Sequence, residues 1–294
     1  CSLLTKIAIL GANGPLGSDL IKVLGAIATN EVIAVRREQV DALANNVAQQ
    51  LMILQDVDYI INCVAVTNVD GCEDNSNDAF TINSSFAFQV AKFCGENDIT
   101  LFHISTDYVF DGSKQTPYLE SDVATPLNIY GLSKFAGDLA VAQSAAKYFI
   151  FRVSSLFGVA GAAGKGGNFV TTMVRLANEK ENWTVISDQI TCPTHTLDIA
   201  RAINALISQQ VAEYGIYNCV SSSSCSWFEF TQEILRAIDQ NVDKVQPISY
   251  TEYKFKALRP QYGVMSVDKL AKYYQMPDYK AALHEYLELK NLKK

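Results

Sequence analysis

Residues 6–17 read Lys6-Ile-Ala-Ile-Leu-Gly-Ala-Asn-Gly-Pro-Leu-Gly17, an apolar run followed by glycines with the spacing G-x-x-G-x-x-G. Leucine and isoleucine then recur at helical intervals through Leu24. This pattern predicts a strand, a tight turn and a helix. Glycines in such a turn let the backbone approach a pyrophosphate, which then lies at the positive end of the helix. We therefore predict a dinucleotide site at Gly11, Asn13, Gly14, Pro15, Leu16 and Gly17.

Similar apolar runs recur along the first half of the chain, at 32–35, 59–64, 100–104 and 148–153. Helical patterns lie between most of them, for example at 79–94 and 132–143. This alternation predicts an α/β protein with a doubly wound parallel sheet of the Rossmann type. The gap after Val35 is too short for a full crossover helix, so a third strand is expected at 40–42 after an abbreviated connection.

The pattern changes after Arg152, where a segment rich in glycine and alanine (158–167) precedes further helices. We predict a smaller C-terminal α+β lobe that binds substrate. The expected dinucleotide-binding domain spans 1–155, with 195–220 returning to it, and the substrate lobe consists of 156–194 and 221–294.

Composition excludes several classes of partner. The chain has 294 residues, 49% of them hydrophobic, and a net charge of −7. An acidic surface repels nucleic acids and anionic membranes, so neither is expected as a partner. No apolar run approaches the roughly 20 residues that a membrane span requires, and the first residues do not resemble a signal peptide. The sequence therefore predicts a cytoplasmic protein, and it is compatible with a homodimer.

Cysteine and histidine spacing argues against a structural metal or a disulfide framework. The seven cysteines are odd in number and contain no Cys-x-x-Cys pair. They are interpreted as reduced thiols of a cytoplasmic protein. The three histidines, His103, His195 and His284, are not spaced as a metal-binding pair, and no metal site is predicted.

The residues after the second predicted strand bear on the choice of dinucleotide. An acidic residue at this position hydrogen-bonds the ribose hydroxyls of NAD, whereas an arginine accommodates the 2′-phosphate of NADP. This chain has Val35-Arg36-Arg37. Arg36 therefore predicts NADPH, with NADH as the alternative cofactor, unless both arginines are solvated loop residues.

A tyrosine and a lysine stand four residues apart in Asn128-Ile-Tyr130-Gly-Leu-Ser-Lys134. In a helix this spacing places both side chains on one face. A nearby ammonium group would lower the pKa of Tyr130 from its usual value of about 10 and make it a competent proton donor. Upstream, Ser105 and Thr106 end an apolar strand, where ligands of doubly wound sheets bind. Thr106 is the preferred candidate for polarising a carbonyl group.

These segments together resemble the dTDP-4-dehydrorhamnose reductase family of extended short-chain reductases over almost the whole chain. The most diagnostic is Ser105-Thr-Asp-Tyr-Val-Phe-Asp-Gly112. The other matching segments are 11–17, 62–70, 126–134, 168–169, 188–194 and 259–260.

The resemblance implies NADPH-dependent reduction of the 4-keto group of a dTDP-linked 6-deoxy sugar, as in dTDP-L-rhamnose biosynthesis. It implies Thr106, Tyr130 and Lys134 as the catalytic set, with Lys134 also holding the nicotinamide ribose. The implied neighbours of the sugar nucleotide are Thr67, Val69, Thr106, Asp107, Gln189 and Arg259. On the cofactor side the resemblance implies Asp41 and Ala42 beside the adenine, and Ala65 and Asn83 along the crevice.

Two positions depart from the family pattern. The family usually has a tryptophan in the sugar pocket after Arg-x-Ser, but Ser155 follows Arg152-Val-Ser154 here. The glycine usual after Asp-Gln-x is Thr191. The identity of the sugar therefore stays open.

Two other functions stay open at this point. One is a sugar-nucleotide epimerase or dehydratase with tightly held NAD, which would normally carry an acid where Arg36 stands. The other is a non-catalytic regulatory subunit similar to the methionine adenosyltransferase β subunit, which retains dinucleotide binding.

Overall fold

A six-stranded parallel sheet forms the centre of the protein, seen in a computed structural model that describes residues 4–160 and 167–293. Cys1, Lys294 and most of the predicted glycine- and alanine-rich segment lie outside the described residues. The strands of the sheet are β1 (Thr5–Leu10), β2 (Asn30–Val35), β3 (Tyr59–Asn62), β4 (Thr100–Thr106), β5 (Tyr148–Val153) and β10 (Gly215–Asn218). The strand order is β10-β5-β4-β3-β1-β2, and every neighbouring pair is parallel.

Helices cover both faces of the sheet, which confirms the predicted doubly wound fold. Leucines of α1 and the apolar face of α8 form one buried cluster with the sheet. Residues of α2, α5 and α6 form a second cluster on the opposite face. The helices around the sheet are α1 (Pro15–Gly25), α2 (Val47–Leu51), α3 (Val69–Asp74), α4 (Ser76–Phe80), α5 (Ala87–Glu96), α6 (Ile129–Ser144) and α8 (Thr196–Ser208).

The strand predicted at 40–42 is wrong. The chain turns directly after β2, where the Val40 amide donates to the carbonyl of Arg36 at 3.1 Å. The Asp41 amide donates to the side chain of Gln50 at 2.8 Å. Five residues are too few to cross a sheet face and return, so the chain crosses through α2 and enters the sheet next at β3.

The helical pattern predicted at 79–94 is divided by a π-helical turn, Thr81–Phe86, between α4 and α5. The turn brings the backbone of Asn83 against Gly137 of α6, where a Cβ atom would collide with the Asn83 carbonyl. Turns of this kind are frequent at functional sites. This one places the buried amide of Asn83 beside the loop that follows β3.

Several of the remaining elements pack around a third buried cluster, which includes Phe157, Trp183 and Phe230. Leu270 belongs instead to the first cluster, and Ile190 packs against a fourth. The remaining elements are β6 (Leu156–Phe157), α7 (Phe169–Glu179), β7 (Trp183–Ile186), β8 (Ile190–Thr191), β9 (Thr194–His195), β11 (Cys225–Ser226), α9 (Trp227–Ala237), β12 (Val245–Ile248), α10 (Asp268–Ala271) and α11 (Tyr279–Leu289). Among the described residues, no helix has the length and apolar character needed to cross a membrane.

Candidate active site

A cavity of about 470 Å³ opens at the carboxyl ends of the central strands. In the sheet, β1 lies between β2 and β3. The chain leaves β1 for β2 on one side and later enters β3 on the other side, so the strand order reverses between β1 and β3. Ligands of doubly wound sheets bind at such a divergence. Gly11 after β1, Ala65 after β3 and Thr106 at the end of β4 all line the cavity.

The glycine turn forms one end of the cavity. Gly11 has a φ of +76°, which favours glycine, and a Cβ atom at Gly17 would lie well inside van der Waals distance of the Gly11 carbonyl. Helix α1 begins at Pro15, and Gly14 offers no side-chain cap to its first amides. The first turn also carries no acidic residue. This cradle fits the pyrophosphate of a dinucleotide.

Most of the predicted glycine-turn residues face the cavity. Gly11, Gly14, Pro15, Leu16 and Gly17 line it, whereas Asn13 is exposed outside the lining.

Tyr130 and Lys134 both line the cavity from α6, as their four-residue spacing predicts. Lys134 is 2% exposed, and its ammonium group donates to the Ile104 carbonyl at 2.6 Å. Tyr130 contacts the ring of Tyr108 edge to face, with ring centroids 5.7 Å apart, and lies beside the Thr106 hydroxyl. The site thus holds a phenol, a hydroxyl and an ammonium group around one wall.

The pKa shifts differ from the prediction. Burial raises the pKa of Tyr130, and the hydrogen bond from Thr106 opposes this rise. Burial also lowers the pKa of Lys134 to about 8, against the opposing charge of Asp138. The Lys134 ammonium group, which donates to a backbone carbonyl, does not offset the rise in the pKa of Tyr130.

Buried groups behind α6 hold this wall in place. Ser105 donates to the carboxylate of Asp138 at 2.6 Å, and Arg152 lies 3.7 Å from the same carboxylate. The Asn83 side chain donates to Ser133 at 3.0 Å and accepts from the Val66 amide at 2.9 Å. Asn83 therefore supports the loop after β3, and it does not line the cavity.

The residues predicted near the sugar divide into two groups. Thr67, Val69, Thr106 and Asp107 line the cavity. Gln189 is buried outside the lining and donates to the Pro260 carbonyl at 3.4 Å. Arg259 makes a two-point ion pair with Asp70, at 2.8 and 3.2 Å, and its positive charge acts on the cavity-lining Tyr108.

The residues predicted at the adenine lie beyond the cavity lining, at the end of β2. Arg36 is exposed, and its guanidinium has no hydrogen-bond or ion-pair partner among the described residues. Arg37 instead pairs with Asp41 at 3.4 Å. Ala42 is buried in the core beneath this turn.

Sequence reasoning missed the aromatic end of the cavity. Phe169 and Trp227 begin α7 and α9, line the cavity, and have ring centroids 4.5 Å apart. Nothing in the local sequence of Trp227 shows that α9 begins beside α7, so the sequence carries no signal for this residue. Ser154 and Ser155 also line the cavity without having been predicted as site residues.

One group of potential metal ligands lies outside this cavity. His195, Asp198 and Glu285 have ligand atoms within 4.8 Å of one another. Sequence spacing could not reveal the group, because Glu285 belongs to α11. Arg201 already donates to both carboxylates, at 3.1 and 2.8 Å.

A doubly wound sheet, a glycine turn at a helix N-terminus and a Tyr–Lys pair on one helix face define an NAD(P)-dependent oxidoreductase of the short-chain type. A family model described as RmlD substrate binding domain matches residues 5–291. The chain belongs to the dTDP-4-dehydrorhamnose reductase family.

Individual relatives match along nearly their full length. The spore coat polysaccharide biosynthesis protein SpsK of Bacillus subtilis is 34% identical, covering 97% of this chain and 98% of that protein. The dTDP-4-dehydrorhamnose reductase of Escherichia coli K12 is 32% identical, covering 96% and 97%.

Solved structures agree with this assignment. The dTDP-4-dehydrorhamnose reductase of Bacillus anthracis, determined in complex with NADP, has a TM-score of 0.89 and 35% identity, covering 98% of this chain and all of that one. The reductase of Clostridium acetobutylicum has a TM-score of 0.90 and 33% identity, covering 97% and 99%.

Proposed function

We propose that this protein uses NADPH to reduce the 4-keto group of a dTDP-linked 6-deoxy sugar, in dTDP-L-rhamnose biosynthesis. The observation that carries the proposal is the position of Tyr130, Thr106 and Lys134 on one wall of a cavity that ends at the glycine turn. Relatives named as dTDP-4-dehydrorhamnose reductases, and one bound to NADP, support the substrate and the cofactor.

The glycine turn and Lys134 would hold the dinucleotide, and Arg36 would contact its 2′-phosphate. When bound, NADPH supplies a hydride to the carbonyl carbon. Thr106 would hydrogen-bond the carbonyl oxygen as negative charge develops there. Tyr130 would donate its proton to that oxygen, giving the alcohol.

Other parts of the proposal concern the setting of the enzyme. We infer a nucleotide sugar as its partner and the cytoplasm as its location. The absence of a Cys-x-x-Cys pair among the seven cysteines of the sequence supports a reducing compartment. We also infer that residues 1–155, together with 195–220, form a dinucleotide-binding domain. Residues 156–194 and 221–294 form the substrate lobe.

The test is NADPH oxidation by the purified protein with dTDP-4-dehydro-β-L-rhamnose, beside Tyr130→Phe. Loss of the phenolic proton should slow turnover by about 10²–10⁴-fold, while NADPH affinity stays unchanged. A second assay uses dTDP-4-keto-6-deoxy-D-glucose, the substrate in the name of a Streptomyces niveus relative that is 32% identical.

The same assays distinguish the other functions. NADPH binding without Tyr130-dependent turnover of either sugar would contradict the reductase and favour the regulatory subunit. Protein that purifies with bound NAD would instead favour the epimerase or dehydratase, whose fold the chain shares at 17% identity with a UDP-glucuronic acid 4-epimerase.

A further inference from the structure

The two departures from the family pattern contact each other. The hydroxyls of Ser155 and Thr191 are 2.5 Å apart, and the Thr191 hydroxyl lies 3.0 Å from that of Ser154. In both contacts either oxygen can be the donor. Ser155 lines the cavity, whereas Thr191 is 4% exposed. A glycine at 191 would remove the hydroxyl that contacts both serines. Ser155 and Thr191 therefore build this group of hydroxyls together.

This group of hydroxyls continues to the catalytic wall through Asp107. The Ser154 hydroxyl lies beside the Asp107 carboxyl group and favours its charged form, and the Thr106 hydroxyl donates to that carboxyl at 3.3 Å. The Thr106 hydroxyl also lies beside Tyr130, whose charged form it favours. A succession of neighbouring polar groups therefore runs from Tyr130 to a cavity-lining serine through Thr106, Asp107, Ser154, Thr191 and Ser155.

Asp107 is the one carboxyl group in this chain of contacts, and it is 5% exposed. Burial raises its pKa to about 7, against hydrogen bonds from Ser154 and Thr106 that lower it. The titratable groups that face it are Tyr130 on α6, Tyr108 after β4 and Cys192 after β8. A carboxyl with this pKa both gives and takes a proton near neutral pH.

We propose that Asp107 returns a proton to Tyr130 after each reduction, through the Thr106 hydroxyl, and that Ser154, Thr191 and Ser155 connect Asp107 to the cavity. The proposal rests on the proposed reductase function. Each reduction moves the Tyr130 proton to the new alcohol and leaves a phenolate. The Thr106 O–H bond then breaks as the Tyr130 O–H bond forms, and Thr106 takes its proton back from Asp107.

The Asp107 carboxylate is then reprotonated from the other side. It takes a proton from Ser154, which is replenished by Thr191, Ser155 and finally water. One proton enters from solvent for each alcohol formed, and no electrons move along the relay. Asp107 is thus the immediate proton source for Thr106, and Ser154, Thr191 and Ser155 pass protons to it.

Kinetic measurements separate the first turnover, which uses the resident Tyr130 proton, from later turnovers, which need the relay. In Asp107→Asn and Thr191→Val, we expect the ratio of the steady-state rate to the single-turnover rate to fall by about tenfold or more. Thr191→Ser is the matched control, because it keeps the hydroxyl and should restore the ratio. The ionisation near pH 7 in the steady-state profile should disappear in Asp107→Asn.

A titration without cofactor or sugar provides an independent readout. Carboxyl NMR of aspartate-labelled protein should show Asp107 titrating near pH 7 in the wild type. Ser154→Ala should raise that pKa, because it removes a hydrogen bond that favours the carboxylate.

Two results would overturn the relay. One is an Asp107 pKa near 4 by NMR. The other is wild-type behaviour of Asp107→Asn and Thr191→Val, in both the rate ratio and the pH profile. This result counts against the relay when Tyr130→Phe abolishes the first turnover in the same assay. Failure of the reductase function looks different, since no sugar would then give a Tyr130-dependent first turnover at all.

Discussion

At the residue scale, burial determines the proton affinities around the catalytic wall. It raises the pKa of Tyr130, raises that of Asp107 to about 7 and lowers that of Lys134 to about 8. All three shifts favour the neutral form, as desolvation requires. The sequence showed the charges but not the burial, so its expectation for Tyr130 had the wrong sign.

Two neighbouring arginines after β2 provide a test of cofactor choice. Arg36 is unpartnered among the described residues, whereas Arg37 pairs with Asp41. We expect Arg36→Ala to raise the Kd for NADPH by about 10- to 100-fold, because a charge-assisted contact to phosphate is lost. NADH has no 2′-phosphate, so its binding should be unchanged. Fluorescence titration of both cofactors measures this.

Arg37→Ala is the matched control and should have a smaller effect on NADPH. Equal losses of NADPH and NADH affinity in Arg36→Ala would show that Arg36 does not contact the 2′-phosphate.

At the element scale, close backbone approaches build the site. Helix α1 lies against the turn after β1 at Gly17, and the π-helical turn lies against α6 at Gly137. Glycine is required at both contacts because a Cβ atom would collide with a backbone carbonyl. The first contact sets the helix N-terminus toward the cavity, and the second fixes Asn83 beside Ser133.

The α1 contact leads to a matched pair of substitutions. Gly17→Ala places a Cβ against the Gly11 carbonyl, and overpacking of this kind should lower the free energy of unfolding by about 1–3 kcal/mol. It should also weaken NADPH binding, since the helix end must move.

Gly25, in the same helix, has no atom within 4 Å of its Cβ position. Gly25→Ala should therefore leave both properties intact or stabilise the helix slightly. Denaturant unfolding and NADPH titration report the two effects, and equal behaviour of the two variants would contradict the steric argument.

At the scale of the whole molecule, residues 250–259 join the C-terminal part of the chain to α3. Arg259 and the Ala257 amide both donate to the carboxylate of Asp70. Next to them, Lys256 forms an ion pair with Asp74. Asp70 adjoins the cavity-lining Val69, so this contact supports the part of the cavity that is proposed to bind the sugar nucleotide.

Asp70→Asn tests this contact. The hydrogen bonds of Arg259 hold the pKa of Asp70 below its usual value, which indicates that the carboxylate is stabilised here. We expect Asp70→Asn to raise the KM for the sugar nucleotide by about 5- to 10-fold, an order typical of one weakened charged contact, with NADPH affinity unchanged.

Asp74→Asn is its control, because an exposed ion pair contributes about 0–1 kcal/mol and lies farther from the cavity. The proposal for this contact would be wrong if both variants raised the KM equally, or if NADPH binding fell with Asp70→Asn.

The sequence by itself determined the doubly wound fold, the glycine turn and the placement of Tyr130 and Lys134 on one helix face. These follow from local periodicity and from chain geometry over a few residues, which a pattern records directly. The strand expected at 40–42 was wrong because residues 36–44 form a turn, whose hydrogen bonds the apolar pattern did not indicate.

Only the tertiary structure decided which distant residues share the cavity. Trp227 meets Phe169, Thr191 meets Ser155, and Arg259 meets Asp70 across long stretches of chain. Such contacts depend on how whole elements pack, and desolvation depends on everything around a group. Neither is encoded in local spacing, so the contacts from which the relay through Asp107 is proposed could not be derived from the sequence.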